Sequence, residues 1–258
     1  MYASLLNETL PRVREAMDEA ARAAGRDPAS VTLVAVTKGH PLEAVRAALA
    51  AGLTDLGENR VGELEEKAEG IGYMGHGGHE AHRGVRWHLI GHVQSRKAPR
   101  AVELADLIHS VDSLHLANRL ARVAVERESA ARVLFQVNTA REESKYGFDP
   151  EEALDRILEA ASAPGLKAEG LMTMAPFTDD EAVLRAAFRD LRELSERIRG
   201  QAPGFGGELS MGMTNDLRIA VEEGSTLVRI GTALFGERPH PAGASSARPT
   251  ESPQGRYG

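Results

Sequence analysis

The sequence predicts an α/β protein built as a single closed (β/α)8 barrel with an extra helix in front of it. Three observations lead there. Short β-branched runs alternate with longer alanine- and leucine-rich amphipathic segments along the chain, and eight such runs can be counted. The first of them is apolar almost throughout, as suits a parallel strand covered on both faces. Eight βα units are the number that closes a barrel. An open doubly wound sheet is the competing arrangement, since the same rhythm serves it too.

The elements follow in order. Residues 5–24 carry helical periodicity and stop at Gly25, a residue suited to closing a helix. The runs read as strands are VTLVAVT (31–37), TDLG (54–57), RWHLIG (86–91), LIHSV (107–111), VLFQVN (133–138), AEGLMTM (168–174), ELSMG (208–212) and TLVRIG (226–231). Helices are expected near 41–51, 59–69, 95–104, 113–129, 150–162, 179–200 and 214–223, each opening close to a proline or polar start signal. Residues 1–238 are thus read as one domain. Two stretches break the rhythm, 70–84, rich in glycine and histidine, and 239–258, poor in large hydrophobes; the first reads as a mobile loop and the second as a disordered tail. His76, His79 and His82 recur at intervals of three, but flanking glycines deny them a fixed geometry, and a solvated surface loop is expected there instead of a metal site.

A chain of 258 residues, 42% hydrophobic and 27% charged, suits one globular unit able to bury about three-quarters of its unfolded surface. Thirty-eight acidic against thirty-one basic residues give a formal charge of −7, which argues against a sequence-independent grip on nucleic acid or anionic lipid. With no cysteine, disulfides, thiolate catalysis and cysteine-ligated metals are excluded. The N-terminal residues carry early acids and no apolar core of signal-peptide length, and no later run approaches a membrane span. A cytoplasmic protein is expected.

In a closed barrel, function gathers at the carboxyl ends of the strands. Of five lysines, Lys38 finishes the first strand in VAVTKGH, where its side chain can point into the mouth. Lys167 precedes its strand, Lys67 sits on an outer helix, and Lys97 and Lys145 lie several residues into their connections. An amine walled by apolar groups and near other cations loses proton affinity and attacks carbonyl carbon, a role that arginine cannot fill. Taken alone, Lys38 could equally be a salt-bridged strand-end lysine. The last two strands add weight to the chemical reading: SMGMTND brings Ser210, Gly212 and Thr214 into a small-residue turn before a helix, and RIGT sets Gly231 and Thr232 after strand eight. These two loops are the habitual phosphate cradle of barrel enzymes. With a lysine across the mouth they describe a pocket for a phosphorylated aldehyde. Glu58 and Asn59 of GENR, and His92 and Gln94 of HLIGHVQ, are further rim residues. Met172 and Met174 share one face of strand six and read as core or pocket wall, while His88 is either a satisfied core histidine or a ligand contact.

The segments VAVTKGHPLEAVRAALAAGLTDLGENRVGE, WHLIGHVQSRK, SKYGF, GLMTMAP and LSMGMTNDLRIAVEEGSTLVRIGTALFG occur in that order. Through them the chain resembles the pyridoxal-phosphate homeostasis proteins, also called the proline-synthase co-transcribed family, from about residue 5 to residue 238. The resemblance implies a barrel of the alanine racemase N-terminal type, fold type III among pyridoxal-dependent proteins, with pyridoxal 5′-phosphate (PLP) held as an internal aldimine. It makes Lys38 the Schiff-base lysine and places Ser210, Met211, Gly212, Gly231 and Thr232 around the phosphate. It sets Asn59 and Met172 beside the ring, with His88 close by. Arg229 matches the arginine that faces the pyridine nitrogen in racemases of this type, where a guanidinium keeps that nitrogen unprotonated and weakens the cofactor as an electron sink. Serving the phosphate is the other role open to it.

A pyridoxal-dependent racemase needs a proton donor or acceptor on each face of the substrate carbon, and the related two-domain racemases take the second from a tyrosine on an added β domain. Of Tyr2, Tyr73, Tyr146 and Tyr257, only Tyr146 lies in a connection able to reach the mouth. One general acid or base is worth about 10²- to 10⁴-fold in rate, so a barrel without the second leaves slow chemistry at best. The chain therefore reads as a carrier or buffer of PLP in intracellular vitamin B6 homeostasis, monomeric, with PLP-dependent apo-enzymes as recipients. The alternatives are a weak single-domain amino-acid racemase or other PLP enzyme, and a Schiff-base sugar-phosphate enzyme that works without PLP.

Overall fold

The computed structural model describes residues 1–73, 84–142 and 145–238. His76, His79 and His82, and all of the C-terminal stretch read as a tail, lie outside them. Eight parallel strands close on themselves in chain order: β1 (Thr32–Val36), β2 (Asp55–Glu58), β3 (Arg86–Leu89), β4 (Leu107–Val111), β5 (Ala131–Gln136), β6 (Leu166–Met172), β7 (Glu208–Ser210) and β8 (Leu227–Ile230). The closing pair runs from Thr32↔Leu227 to Ala35↔Ile230, which rules out the open sheet.

The helices are α1 (Tyr2–Ala23), α2 (Leu42–Ala50), α3 (Val61–Gly70), α4 (Ala98–Leu104), α5 (Leu114–Glu126), α6 (Ala153–Ala161), α7 (Glu181–Gln201), α8 (Leu217–Glu222) and α9 (Thr232–Phe235). Local chemistry sets several of their starts. The Ser113 hydroxyl accepts from the Leu116 amide at the head of α5, and the Asp180 carboxylate accepts from the Ala182 and Val183 amides at the head of α7. Along α7 the buried residues Leu184, Phe188, Leu191, Leu194 and Ile198 recur every three or four positions, the stripe that a helix lays against a sheet. The extra helix α1 packs across α2, α8 and α9, with the Thr9 hydroxyl donating to the Leu234 carbonyl at 2.9 Å.

Strand periodicity sorts the two cores. Val34, Leu107, Leu134, Met172 and Leu227 fill the lumen, while their neighbours Ala35, Ile108, Val133, Phe135, Leu171 and Val228 face the helices. Three differences from the expected elements have a local cause or consequence. β6 begins at Leu166, so Lys167 lies within that strand at its amino end. The expected helix at 214–223 is cut to Leu217–Glu222 because the Asp216 carboxylate accepts the Met213 amide at 2.5 Å and spends those residues on a turn. The short α9 after β8 was not foreseen, four residues being too few for a periodicity to show. Among the described residues, no helix is long and apolar enough to cross a membrane, and no group of three His, Asp or Glu side chains could hold a metal.

Candidate functional site

Lys38 lies just beyond the carboxyl end of β1. Val34 and Val36 face the lumen side, and the same two-residue period carries residue 38 to the mouth. Its half-buried amine makes no hydrogen bond or ion pair with any described residue. Burial pushes its pKa below the ordinary lysine value, the cations Arg238 and Arg229 push the same way, and Glu58 and Glu63 oppose them. The other lysines are differently placed: Lys145 bonds Glu142 and the Ala175 carbonyl, Lys167 pairs with Glu169, and Lys97 is exposed.

Lys67 departs most from expectation. It belongs to an outer helix, α3, but is buried against the barrel wall, and it holds the backbone beside Lys38. Its amine donates to the Thr37 carbonyl at 2.7 Å and pairs with Glu58 at 2.7 Å and Glu63 at 2.9 Å. Glu58 in turn accepts from the Thr37 hydroxyl at 2.5 Å, and Glu63 accepts from the Gly39 amide. Residues 37 and 39 are thus clamped from behind while residue 38 is left free. Glu58, expected at the rim, instead sits between β2 and α3 with its Oε2 unpartnered among the described residues. Burial raises its pKa to about 7 against the pull of Lys67 and Thr37. The signal for Lys67 was its place on the apolar stripe of α3, three residues after Leu64.

The loops after β7 and β8 lie side by side, the Arg229 amide donating to the Gly212 carbonyl at 3.0 Å. Gly212 has φ +97°, and a Cβ there would stand 2.6 Å from the Cβ of Ala220, so the turn requires glycine. The amides of Gly212, Gly231, Thr232 and Ala233 donate to no acceptor among the described residues. Since α8 and α9 have six and four residues, what they offer an anion is those free amides and the exposed Thr232 hydroxyl, with little helix dipole behind them. Met211 is fully buried, its amide bonded to the Leu227 carbonyl.

Beneath the mouth the lumen carries a polar chain. Arg229, 5% exposed, donates through Nη1 to the Ser210 carbonyl (2.7 Å) and hydroxyl (2.6 Å), and through Nη2 to the Thr173 carbonyl (3.0 Å). Ser210 Oγ lies 2.8 Å from His109 Nδ1, and His109 Nε2 lies 2.8 Å from His88 Nδ1. His88 Nε2 then meets Asp55 Oδ1 at 2.9 Å, and Asp55 also pairs with Arg86 at 2.7 Å at the amino end of the barrel. Burial lowers the Arg229 pKa to about 10, with Asp216 acting to raise it. Burial, His88 and Arg229 together press the His109 pKa far below the ordinary histidine value. Burial would raise the Asp55 pKa, but the bonds and charges of His88 and Arg86 hold it below the usual carboxylate range. His109 was missed in the sequence, although it stands two residues after the lumen residue Leu107, the spacing that turns a polar residue to the same face.

His88 therefore has protein partners on both ring nitrogens. Met172 is buried in the lumen cluster, with the half-buried Met174 packed on it. Asn59 is half-buried with its amide unbonded among the described residues, and Gly91 lets the ends of β2 and β3 meet, since a Cβ there would stand 2.3 Å from the Asn59 carbonyl oxygen. His92 stacks on Tyr146 with ring centroids 4.4 Å apart and bonds Asp112, while Gln94 bonds Arg96. Lys38, Asn59, Gly212, Gly231 and Thr232 thus share the carboxyl end, and Ser210, Arg229, Met172 and His88 lie in the lumen.

The chain is a closed βα barrel whose lysine after β1 has no partner among the described residues, and residues 10–239 match the family described as the alanine racemase N-terminal domain. The chain belongs to this family and, within it, to the pyridoxal phosphate homeostasis proteins. It is 42% identical to the pyridoxal phosphate homeostasis protein of Pseudomonas aeruginosa, over 94% of this chain and 100% of that one. It is 36% identical to the protein so named from Aquifex aeolicus, over 90% of this chain and 97% of that one. Among solved structures, PipY of Synechococcus elongatus with PLP bound is similar at a TM-score of 0.73 and 37% identity, covering 87% of this chain and 100% of PipY. Alanine racemase of Clostridium difficile shares the fold at a TM-score of 0.72 and 15% identity, this chain covering 57% of it and the match covering 92% of this chain.

Proposed function

We propose that this chain binds pyridoxal 5′-phosphate, captures it covalently through Lys38, and serves intracellular vitamin B6 homeostasis by carrying or buffering it. One observation carries the reading. Lys38 is the lysine held half-buried at the mouth without a partner among the described residues, its pKa lowered, while the backbone on both sides of it is clamped. The names of the relatives and the PLP-bound PipY structure support the choice of ligand.

When bound, PLP supplies an aldehyde carbon and a phosphate monoester, and the residues present fit both. The Lys38 amine is the nucleophile. The free amides of Gly212, Gly231 and Thr232, with the Thr232 hydroxyl, offer donors to phosphate oxygens. Asn59 and the methionine pair Met172 and Met174 flank the ring. Arg229 keeps its Nε–H and one Nη2 hydrogen without an acceptor among the described residues, so it can donate to the pyridine nitrogen or to phosphate. Ser210 and His88 act from below, Ser210 by its hydroxyl and His88 through His109. Met211 contributes its place in the backbone of the turn.

The protein is expected to be a cytoplasmic monomer that hands PLP to apo-enzymes. Purified protein mixed with PLP should gain a visible absorbance band that borohydride abolishes by fixing the adduct. Lys38→Ala should lose band and adduct while keeping a weak, phosphate-dependent affinity. An adduct of equal yield in Lys38→Ala would move the chemistry to Lys145 or Lys97, and a colourless protein indifferent to PLP would favour a sugar-phosphate enzyme.

A further inference from the structure

The hydrogen bonds beneath the mouth fix where each proton sits. Arg229 can only donate, and an ionised Asp55 can only accept. Because Arg229 gives a hydrogen to Ser210 Oγ, the Ser210 hydroxyl hydrogen has His109 Nδ1 as its acceptor among the described residues. His109 must then carry its proton on Nε2 and donate it to His88 Nδ1, and His88 must carry its own on Nε2 and donate to Asp55. Every link points from the mouth toward the amino end, and the Ser210 hydroxyl and all four ring nitrogens of the histidine pair have partners.

The same heavy atoms also allow the Ser210 hydroxyl to point the other way. If the Ser210 hydroxyl turns its hydrogen to an acceptor in the mouth, its oxygen takes a bond from His109 Nδ1–H. The added proton then sits on one of the two rings. Either His109 Nε2 accepts from His88 Nδ1–H and His88, still donating to Asp55, holds two protons, or His109 holds two and keeps donating to His88. The Asp55 carboxylate beside His88, and Arg229 at the other end of the chain, select the first. This state contains one proton more. Without a ligand it strands a buried hydroxyl hydrogen with no acceptor among the described residues, so it needs an anion to exist.

We propose that a phosphate monoester accepting the Ser210 hydroxyl draws a proton onto His88, coupling ligand binding at the mouth to the charge of a histidine deep in the lumen. The proposal rests on the functional reading above for the identity of the anion only. The groups facing the histidine pair are Asp55 from β2, with Arg86 of β3 beyond it, Ser210 from β7 and Arg229 from β8. The Asp55 carboxylate favours the added proton at His88, whereas Arg229 opposes one at His109, the ring nearer to it in the chain. His88 and His109 are therefore positioning residues, which set the direction of the Ser210 hydroxyl without touching the ligand.

Imidazole ¹⁵N NMR of the full chain, with and without PLP or inorganic phosphate, tests this. Ligand-free protein should show both histidines protonated on Nε2; ligand-saturated protein should show His88 as imidazolium and His109 protonated on Nδ1. Titration calorimetry at about pH 8 in buffers of different ionisation heat should find wild type taking up about one proton more per bound PLP than His88→Asn. Should His88→Asn fail to fold, Ser210→Ala serves, binding more weakly and also without the extra proton. A ligand-free His109 protonated on Nδ1, tautomers unmoved in saturated protein, or equal proton counts in wild type and variant would each overturn the coupling. If neither ligand moves the signals, the coupling falls too. If inorganic phosphate moves them and PLP does not bind, the coupling stands and the PLP reading is the one that fails.

Discussion

Glu58 carries a testable consequence on its own. Its pKa stands at about 7 against an ordinary 4.5, because burial outweighs the attraction of Lys67. A carboxyl whose folded-state pKa is raised binds its proton more tightly folded than unfolded, so its contribution to stability is complete below the unfolded value and is lost as pH rises through the folded one. The shift corresponds to roughly 3 kcal/mol. Urea denaturation at about pH 4 and about pH 8 should therefore show wild type losing roughly 3 kcal/mol more than Glu58→Gln across that range; equal losses would mean that another group titrates. At this scale the sequence was partly legible. Lys38 could be read because strand period and position both placed it at the mouth, whereas Glu58 seemed a rim residue because one position along a strand reverses the face. Lys67 reads in the sequence only as a lysine on an outer helix, since what buries it is the approach of a strand distant in the chain.

Among the elements, the turn after β7 depends on its glycine. Gly212→Ala places a side chain at φ +97° and 2.6 Å from Ala220, so a loss of roughly 2–3 kcal/mol, a fall in melting temperature of about 5–10 °C by calorimetry, and weaker PLP binding are expected. Gly62→Ala is the counterpart. Gly62 sits within α3 with open space around a Cβ, and the substitution should stabilise by about 0.5–1 kcal/mol through helix propensity. A variant at Gly212 as stable as wild type would show that the turn tolerates a side chain. Strands and long helices were legible here because their periods repeat over several residues. The four-residue α9 and the shortened α8 were not, because a single turn is decided by local bonds such as Asp216 to the Met213 amide.

For the whole molecule, a carrier and a racemase differ in what they do to an amino acid. Tyr146, the tyrosine expected to reach the mouth, is 59% exposed and stacked on His92, a poor setting for a buried proton-transfer group. Deuterium from solvent should therefore enter the α-carbon of alanine in the presence of PLP-loaded protein at least about 10²-fold more slowly than a two-catalyst enzyme allows. Rapid exchange that vanishes in Lys38→Ala would make the protein an enzyme. By itself the sequence determined the strand and helix rhythm, the closure number of eight, and the lysine and glycine turns at the carboxyl end, because periodicity and motif position are local properties of a chain. Only the tertiary structure decided that β1 meets β8, that Lys67 and Glu58 clamp the Lys38 backbone, and that Asp55, His88, His109, Ser210 and Arg229 join into one chain across the lumen. The links of that chain join residues as far as 101 positions apart, and they exist only once closure of the barrel has turned five separate strands toward a common interior.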